Sequence, residues 1–305
     1  MKTSLLLAAI AAGPVAYAQE TIIGLNFSNQ LFKFDSSTFG QVRGLDEVVG
    51  FITPIKSLPN GVDIVAIDLR PQTGELYALG QNGTALSLYT IIQSGPDVGT
   101  AVLQSTLTLS GGPFGNPTFA DAVYSIDFNP VADALRIVND VGGNYRIAAA
   151  NYAIGTTVQD TALSQTGVTG IAYTNNFAGA PSTQLFDVQP SAIGDSPLLL
   201  QAPPNTGTLT SQGSTGFDLN QGDLDISGVT GLGYYADSLA NSFYRFDAIT
   251  SSPLAVNVGP IVGGGTIRSI AAPIGAVVPE PGTLMLMGAG LVGTVGVLRG
   301  HRRRK

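Results

Sequence analysis

The chain has 305 residues, with 14 Lys or Arg against 21 Asp or Glu, and a net charge of −7. It contains no Cys, which excludes disulfides, and its single His, His301, lies near the C-terminus. A Ser-His-Asp triad and any zinc or haem site built on His or Cys are therefore excluded from the rest of the chain. Nucleic acid is not expected as a partner, because binding it requires basic residues that displace phosphate counterions.

The N-terminus has the pattern of a secretory signal. A basic start at Met1-Lys2 precedes an apolar stretch at 5–12 and the small residues Ala16 and Ala18. These features predict a signal peptide over residues 1–18, which signal peptidase removes after Ala18.

The exported part of the chain is more acidic than the whole. Six of the basic residues lie within 1–18 or 299–305, so residues 19–278 carry a net charge of −12. An acidic domain is compatible with solubility, divalent cations or neutral polysaccharide. A chain of this length can bury about 70% or more of its unfolded surface, so its core can hold it together.

One module of short β-branched and aromatic runs repeats along the chain, with periodicity 2 and turn residues between the runs. Its first strand is apolar with a central polar residue and occurs at 66–71, 125–130, 170–173, 216–220 and 269–273. Its second strand is predicted at 76–79, 135–138, 185–188 and 233–235. Its third is predicted at 86–91, 145–147 and 243–247, and its fourth at 106–109 and 255–258.

Four antiparallel strands that repeat every 45 to 59 residues predict an all-β fold, a β-propeller. The last module has only its first strand, whereas the mature N-terminus has a second and a third strand, at 22–25 and 31–35. Pairing of the two ends would complete a blade and close the ring. This count favours five blades over residues 19–275; six blades, a β-sandwich and a parallel β-helix remain alternatives.

Several motifs resemble a known bacterial family. The runs IDLRPQTGELYALG (67–80) and DFNPVADALRIV (127–138) are similar to those of the domain of unknown function numbered 4394, as are AYTNN (172–176) and PPNTGTL (203–209). The resemblance covers about residues 22–272. It supports an exported repeat domain and implies no particular reaction.

Three carboxylates occupy equivalent positions in the predicted first strands: Asp68, Asp127 and Asp218. Hard oxygen ligands suit Ca²⁺, so the three could form a cation site or an acidic ring that binds sugars. Alternatively, each carboxylate accepts backbone hydrogen bonds and only fixes blade packing. Ala172 and Ala271 replace the acid in two modules, so a symmetric ring is excluded.

Other acidic residues give weaker signals. Asp223 and Asp225 resemble a fragment of a calcium loop but lack the downstream Glu, which favours a solvated acidic turn. Ordinary loop charge accounts for Asp121, Asp133 and Asp140 near Arg136 and Arg146. A hydrolase built on carboxylates would need two of them about 5–10 Å apart, one with a raised pKa.

The C-terminus has the pattern of a second sorting signal. Pro279-Glu280-Pro281, within a linker over 276–282, precedes an apolar run at 283–298 and a basic tail at 299–305. The run predicts a transmembrane helix of about 24 Å, short of a hydrocarbon core of about 30 Å, with the tail on the cytoplasmic side. This order resembles the PEP-CTERM sorting signal, which implies cleavage by an exosortase and release to the surface; a plain membrane anchor is the alternative.

Together these patterns favour an exported, surface-delivered, non-catalytic binding or matrix-interaction module. Exopolysaccharide or an envelope component is its expected partner. A carboxylate-dependent hydrolase of glycans or lactones, and a structural envelope protein without a defined ligand, are the alternatives. No organic cofactor is expected, and Ca²⁺ is the one metal that the residues suggest.

Overall fold

The computed structural model describes residues 19–37, 41–109, 112–113, 122–191 and 194–276, of which 112–113 are described by their backbone alone. These residues form 22 β-strands and two short 3-10 helices, Ala149–Asn151 and Pro204–Thr206. The first nine strands are β1 (Thr21–Asn26), β2 (Gln30–Asp35), β3 (Thr53–Pro54), β4 (Asp63–Leu69), β5 (Leu76–Asn82), β6 (Ala85–Ile91), β7 (Ala101–Thr106), β8 (Thr108–Leu109) and β9 (Gly112–Pro113). The next eight are β10 (Tyr124–Asn129), β11 (Ala134–Asn139), β12 (Asn144–Ala148), β13 (Thr156–Gln159), β14 (Gly170–Tyr173), β15 (Leu185–Val188), β16 (Pro197–Gln201) and β17 (Leu209–Ser214). The last five are β18 (Gly222–Ile226), β19 (Gly233–Asp237), β20 (Ser242–Phe246), β21 (Ala255–Pro260) and β22 (Ile267–Ala271).

The strands form five sheets, in the orders β22-β1-β2-β3, β4-β5-β6-β7, β10-β11-β12-β13-β8-β9, β14-β15-β16-β17 and β18-β19-β20-β21. The first strand of each, β22, β4, β10, β14 or β18, contacts the first strands of the two neighbouring sheets. The five sheets are therefore the blades of a propeller around one axis, and these five strands are its innermost strands. The prediction of a five-bladed β-propeller is confirmed.

The ring closes through pairing of its two ends. Strand β22 pairs antiparallel with β1, in a register that places Ala271 opposite Ile23 and Ser269 opposite Leu25. The prediction that both ends share one blade is confirmed. All strands that close the ring lie within residues 21–271, so residues 19–276 contain the complete propeller.

Five apolar clusters hold the blades together, each between two successive blades. Periodicity 2 places alternate side chains of a strand on opposite faces of its blade, so each blade contributes to the clusters on both sides. In the cluster between the β4 and β10 blades, the ring of Phe128 packs edge-on against Tyr77, with 5.1 Å between the centroids. The core is therefore distributed around the ring.

Two predicted strands differ from the structure. Residues 216–220 form a loop, and the innermost strand of that blade is β18, six residues further on. Thr106 ends β7, whereas Thr108 and Leu109 form β8, which pairs in parallel with β13 of the following blade. The chain thus crosses to the next blade inside what the pattern suggests is one strand.

The predicted address segments lie outside the described residues: the signal peptide at 1–18, most of the linker, the apolar run at 283–298 and the basic tail at 299–305. The part of the chain that the structure describes contains no helix long and apolar enough to cross a membrane.

Candidate functional site

The innermost strands place two rows of side chains around the axis. One row contains Asp68, Asp127, Ala172, Asp225 and Ala271, and the other lies two residues earlier on each strand and contains Ala66, Ser125, Gly170, Asp223 and Ser269. Small residues alternate with acids because the strands approach closely here. A Cβ on Gly170, for example, would lie 2.6 Å from the backbone nitrogen of Leu224 on the next blade.

In the row that contains Ser125 and Ser269, the central residue is Asp223, whose buried carboxylate accepts four hydrogen bonds. The hydroxyl groups of Ser125 and Ser269 donate to it at 2.7 and 2.5 Å. The amides of Leu224 and Ile270 donate to it at 3.1 Å each. Burial raises the pKa of Asp223 to about 7, although these hydrogen bonds act in the opposite direction. The carboxylate thereby joins the innermost strands of three blades.

We expect a Ser269→Ala variant to lose about 1–3 kcal/mol of unfolding free energy, because buried groups lose their partners. The Ser269 hydroxyl also accepts a hydrogen bond from the amide of Ile67 at 3.0 Å, so in the variant Ile67 would lose its acceptor and Asp223 would lose one of its four donors. Urea unfolding of residues 19–278 measures the loss. Ser242→Ala, whose hydroxyl bonds only a neighbouring loop carbonyl, is the control. A loss below about 0.5 kcal/mol would contradict the bonding role.

The other row brings three acids together. Asp68, Asp127 and Asp225 are each at most 2% exposed, and each offers a carboxylate oxygen within 4.8 Å of the other two. Asp68 accepts hydrogen bonds from the amides of Leu69 at 2.6 Å and Phe128 at 2.8 Å. In contrast, neither oxygen of Asp127 accepts a hydrogen bond of good geometry from the described chain; the amide of Tyr173 lies near it and lowers its pKa against the larger effect of burial.

Asp225 is bonded in the same way as Asp68. It accepts the amide of Ile226 at 2.6 Å and that of Ala272, on the next blade, at 2.5 Å. Burial raises the pKa of all three acids, to about 8 for Asp225, and repulsion between the carboxylates acts in the same direction. Described residues provide no salt bridge to any of the three.

The structure places two of the three predicted acids in this cluster. Asp68 and Asp127 lie together, but Asp218 is exposed in the loop before β18, and Asp225 takes its place. The prediction for Asp218 as an innermost-strand carboxylate is therefore wrong. The interpretation of Asp223 and Asp225 as a solvated turn is also wrong, since both are buried on a strand.

A signal for the correct residue exists in the sequence. Asp68 precedes the predicted start of its second strand, Leu76, by eight residues, and Asp127 precedes the predicted start of its own, Leu135, by the same interval. Asp225 precedes Gly233 by eight residues as well, whereas Asp218 precedes it by fifteen. The hairpin length thus identifies Asp225 as the equivalent residue.

A separate pocket opens at the N-terminal ends of the innermost strands. Its volume is about 330 Å³, and its lining comes from several blades: Phe27, Asp63, Val65, Gln81, Ala122, Val123, Tyr124, Gln221 and Arg268. The guanidinium of Arg268 lies 4.9 Å above the centroid of the Phe27 ring and forms no salt bridge with a described carboxylate. Burial lowers the pKa of Arg268, and the nearby charge of Asp63 partly offsets this effect. The pocket therefore presents a partly desolvated cation beside an aromatic face.

The opposite end of the axis is covered by the segment that follows β22. The amide of Gly275 donates to the carbonyl of Asn176 at 2.8 Å, and the amide of Gly228 donates to that of Pro273 at 2.9 Å. A Cβ on Gly228 would lie 1.9 Å from the Asn176 carbonyl oxygen, so only glycine fits this contact. The three buried acids lie between this cover and the pocket, and none of them lines the pocket.

Fold and axial site together define a five-bladed β-propeller with buried axial carboxylates. The chain belongs to the family described as a domain of unknown function (DUF4394), which it matches over residues 30–271. Residues 277–304 match the PEP-CTERM protein-sorting motif. This motif implies export, a cell-envelope route and processing by an exosortase, and it confirms the recognition made from the sequence.

Three solved structures show a distant likeness to this chain. One is a chain of a nidogen/laminin complex, at 8% identity and a TM-score of 0.49, with 84% of this chain and 98% of that chain covered. Two others are provisionally named 6-phosphogluconolactonases. The one from Bacteroides fragilis has 13% identity, a TM-score of 0.41 and coverages of 83% and 70%. The one from Bacteroides uniformis has 14% identity, a TM-score of 0.38 and coverages of 82% and 72%. Likenesses at this level carry no functional information. No curated protein is significantly similar in sequence.

Proposed function

We propose that the protein is a non-catalytic binding module that is delivered to the cell surface and holds an exopolysaccharide or another envelope component. The observation that carries this proposal is the pocket at the mouth of the propeller, where Arg268 faces a cavity without a carboxylate partner among the described residues. The sorting motif supports delivery to the place where such ligands occur.

The chemistry of the pocket favours a sugar that carries an acidic group. A guanidinium binds a carboxylate through two parallel hydrogen bonds, and it does so more strongly where water is partly excluded. The ring of Phe27 offers an apolar face beside it, and Gln221 offers amide donors and acceptors. A uronic acid residue, or another sugar with one anionic substituent, matches these groups.

The same pocket gives little support to the hydrolase alternative. Glycoside cleavage uses two carboxyl groups on either side of the scissile bond. Asp63 is the single carboxylate among the lining residues, and Asp68, Asp127 and Asp225 are buried away from the cavity. Binding is therefore the function that the accessible groups support best.

An Arg268→Gln variant is expected to bind an acidic glycan at least about tenfold more weakly, because it loses a charge-assisted bidentate contact. Residues 19–278 are titrated by calorimetry with the acidic oligosaccharides that bind on a glycan array. Arg43→Gln is the control, since Arg43 pairs with Asp35 and Glu47 away from the pocket.

Other outcomes would contradict this function. Turnover of a polysaccharide or ester by the purified domain, abolished by one Asp substitution, would favour a hydrolase. If the domain folds normally but binds no glycan on the array, a structural envelope protein without a defined ligand would be favoured. Equal affinity of the wild type and Arg268→Gln would move the binding site elsewhere.

The route to the surface is part of the proposal. Signal peptidase would cleave after Ala18, and exosortase near Pro279-Glu280-Pro281, after transient anchoring through residues 283–298 with the basic tail in the cytoplasm. Mass spectrometry of the two termini of the mature protein tests both cleavages. A mature chain that retains residues 283–305 would leave a plain membrane anchor instead.

A further inference from the structure

We propose that Asp68, Asp127 and Asp225 bind one Ca²⁺ ion on the axis of the propeller. The site is separate from the pocket of Arg268, and the proposal does not depend on the function assigned to that pocket.

The first argument is charge. Three carboxylates from three innermost strands meet with oxygens within 4.8 Å of one another, and all three are essentially inaccessible to solvent. No described Lys or Arg forms a salt bridge with them. Buried carboxylates without compensation are strongly unfavourable, so the cluster must take up either a cation or protons.

The second argument comes from Asp127. It is 1% exposed, yet neither of its oxygens accepts a hydrogen bond of good geometry from the described chain. Asp68 and Asp225 each receive two backbone amides, which leaves further lone pairs on their oxygens free. The protein thus orders two carboxylates by backbone amides and directs a third, unpaired one at the same point. Three converging carboxylates with free lone pairs provide the hard oxygen ligands that Ca²⁺ prefers.

The chemistry of the ligand set favours Ca²⁺. All three ligands are hard oxygens, and three carboxylates can supply up to six of the six to eight oxygens that Ca²⁺ takes. Two ligands on opposite sides of Ca²⁺ are about 4.6–5.2 Å apart, since each bond is 2.3–2.6 Å long. Oxygens that all lie within 4.8 Å of one another can contact a single Ca²⁺ ion. Mg²⁺ gives up its waters reluctantly and usually keeps several of them, so a set of three buried carboxylates suits it less well.

Another oxygen at the same end of the axis is available. Asn176 is fully buried, its Oδ1 has no hydrogen-bond partner, and its Nδ2 donates to the carbonyl of Ile226 at 3.4 Å, one residue after Asp225. An amide oxygen is a good Ca²⁺ ligand. An ion at this point would join blades that are far apart in sequence, a structural role suited to a protein without disulfides.

The test is a comparison of unfolding with and without the ion. Residues 19–278 are stripped with EDTA and then unfolded by heat in EDTA, in 10 mM MgCl₂ and in 10 mM CaCl₂. For a Kd of about 0.1 mM, Ca²⁺ is expected to raise Tm by about 5–10 °C relative to EDTA, with a smaller rise in Mg²⁺. Calorimetric titration with CaCl₂ is expected to give one site per chain.

The Asp127→Asn variant is expected to lose the Ca²⁺-dependent rise in Tm. Asp187→Asn is the matched control, because Asp187 is equally buried and both of its oxygens are also unpartnered, but it lies outside the cluster. The control should keep the full response to Ca²⁺. Asp225→Asn serves in place of Asp127→Asn if that variant does not fold.

Two results would overturn the proposal. Identical Tm values in Ca²⁺ and EDTA, with no heat of binding for the wild type, would mean that the three carboxyls hold protons instead. A Ca²⁺ response that persists in both Asp127→Asn and Asp225→Asn would place the ion at another site.

Discussion

A chain that ends at Thr266 is expected not to fold, whereas a chain that ends at Ala276 should unfold as cooperatively as the longer mature domain. The shorter chain lacks β22, the innermost strand of the blade that β1 to β3 complete. Without it the ring stays open, and the edge of β1 is exposed.

The energies involved are comparable with the whole stability of a domain. Ile267 and Ile270 are at most 1% exposed, and each contributes about 1.5–3 kcal/mol by burial. Asp223 and Asp225 also lose the amides of Ile270 and Ala272, at about 1–3 kcal/mol each. These losses together approach the roughly 5–15 kcal/mol by which native domains are stable.

Circular dichroism during heating and the binding of a hydrophobic dye measure the effect. The chain ending at Thr266 should show no cooperative transition and should bind the dye at room temperature. A cooperative transition in that chain, with a Tm close to that of the chain ending at Ala276, would show that closure between β1 and β22 is not what holds the ring.

An Arg136→Met variant is expected to lose about 3–5 kcal/mol of unfolding free energy, because Asp160 loses its buried partner and the side-chain oxygens of Asn144 and Asn205 lose a charged donor. Arg136 lies on β11 with its side chain 4% exposed, and it forms a salt bridge of 2.8 Å with Asp160, which is 7% exposed. The same guanidinium donates to the side-chain oxygens of Asn144 at 2.8 Å and Asn205 at 2.6 Å. One side chain thereby connects the β10 blade to the loop that follows β16.

Chemical unfolding measures this loss, and a loss of that size lowers Tm by roughly 6–20 °C in a domain of this length. Arg146→Met is the matched control, because Arg146 pairs with the same Asp160 at 3.0 Å but is 43% exposed. Its removal should cost less than about 1 kcal/mol. Equal losses for the two variants would mean that burial of Arg136 does not set the strength of its pairing.

The local patterns of the sequence were sufficient to predict the architecture. Periodicity 2 and the turn residues predicted most strands. The incomplete modules at the two ends of the chain predicted the pairing of β22 with β1. They failed at residues 216–226, where two similar stretches each contain an acid between apolar residues. The structure selects the second stretch, because the amide of Leu219 donates to the hydroxyl of Ser196 and that of Asn220 donates to Asp237. These partners are more than fifteen residues away in sequence.

The candidate sites were only partly predictable. Equivalent positions in the repeat identified Asp68 and Asp127, but their convergence with Asp225 depends on how closely the innermost strands approach the axis. The pocket was not predicted at all, because Phe27 and Arg268 are about 240 residues apart in sequence and meet only when the ring closes.

The sequence by itself therefore determined the repeating blade and the export signal and favoured five blades over six, since repeats and motifs are local along the chain. The tertiary structure alone decided which acids meet on the axis, which of them stay unpaired, and where an accessible cation lies. Those properties depend on distances between different blades, and a local pattern of residues does not encode such distances.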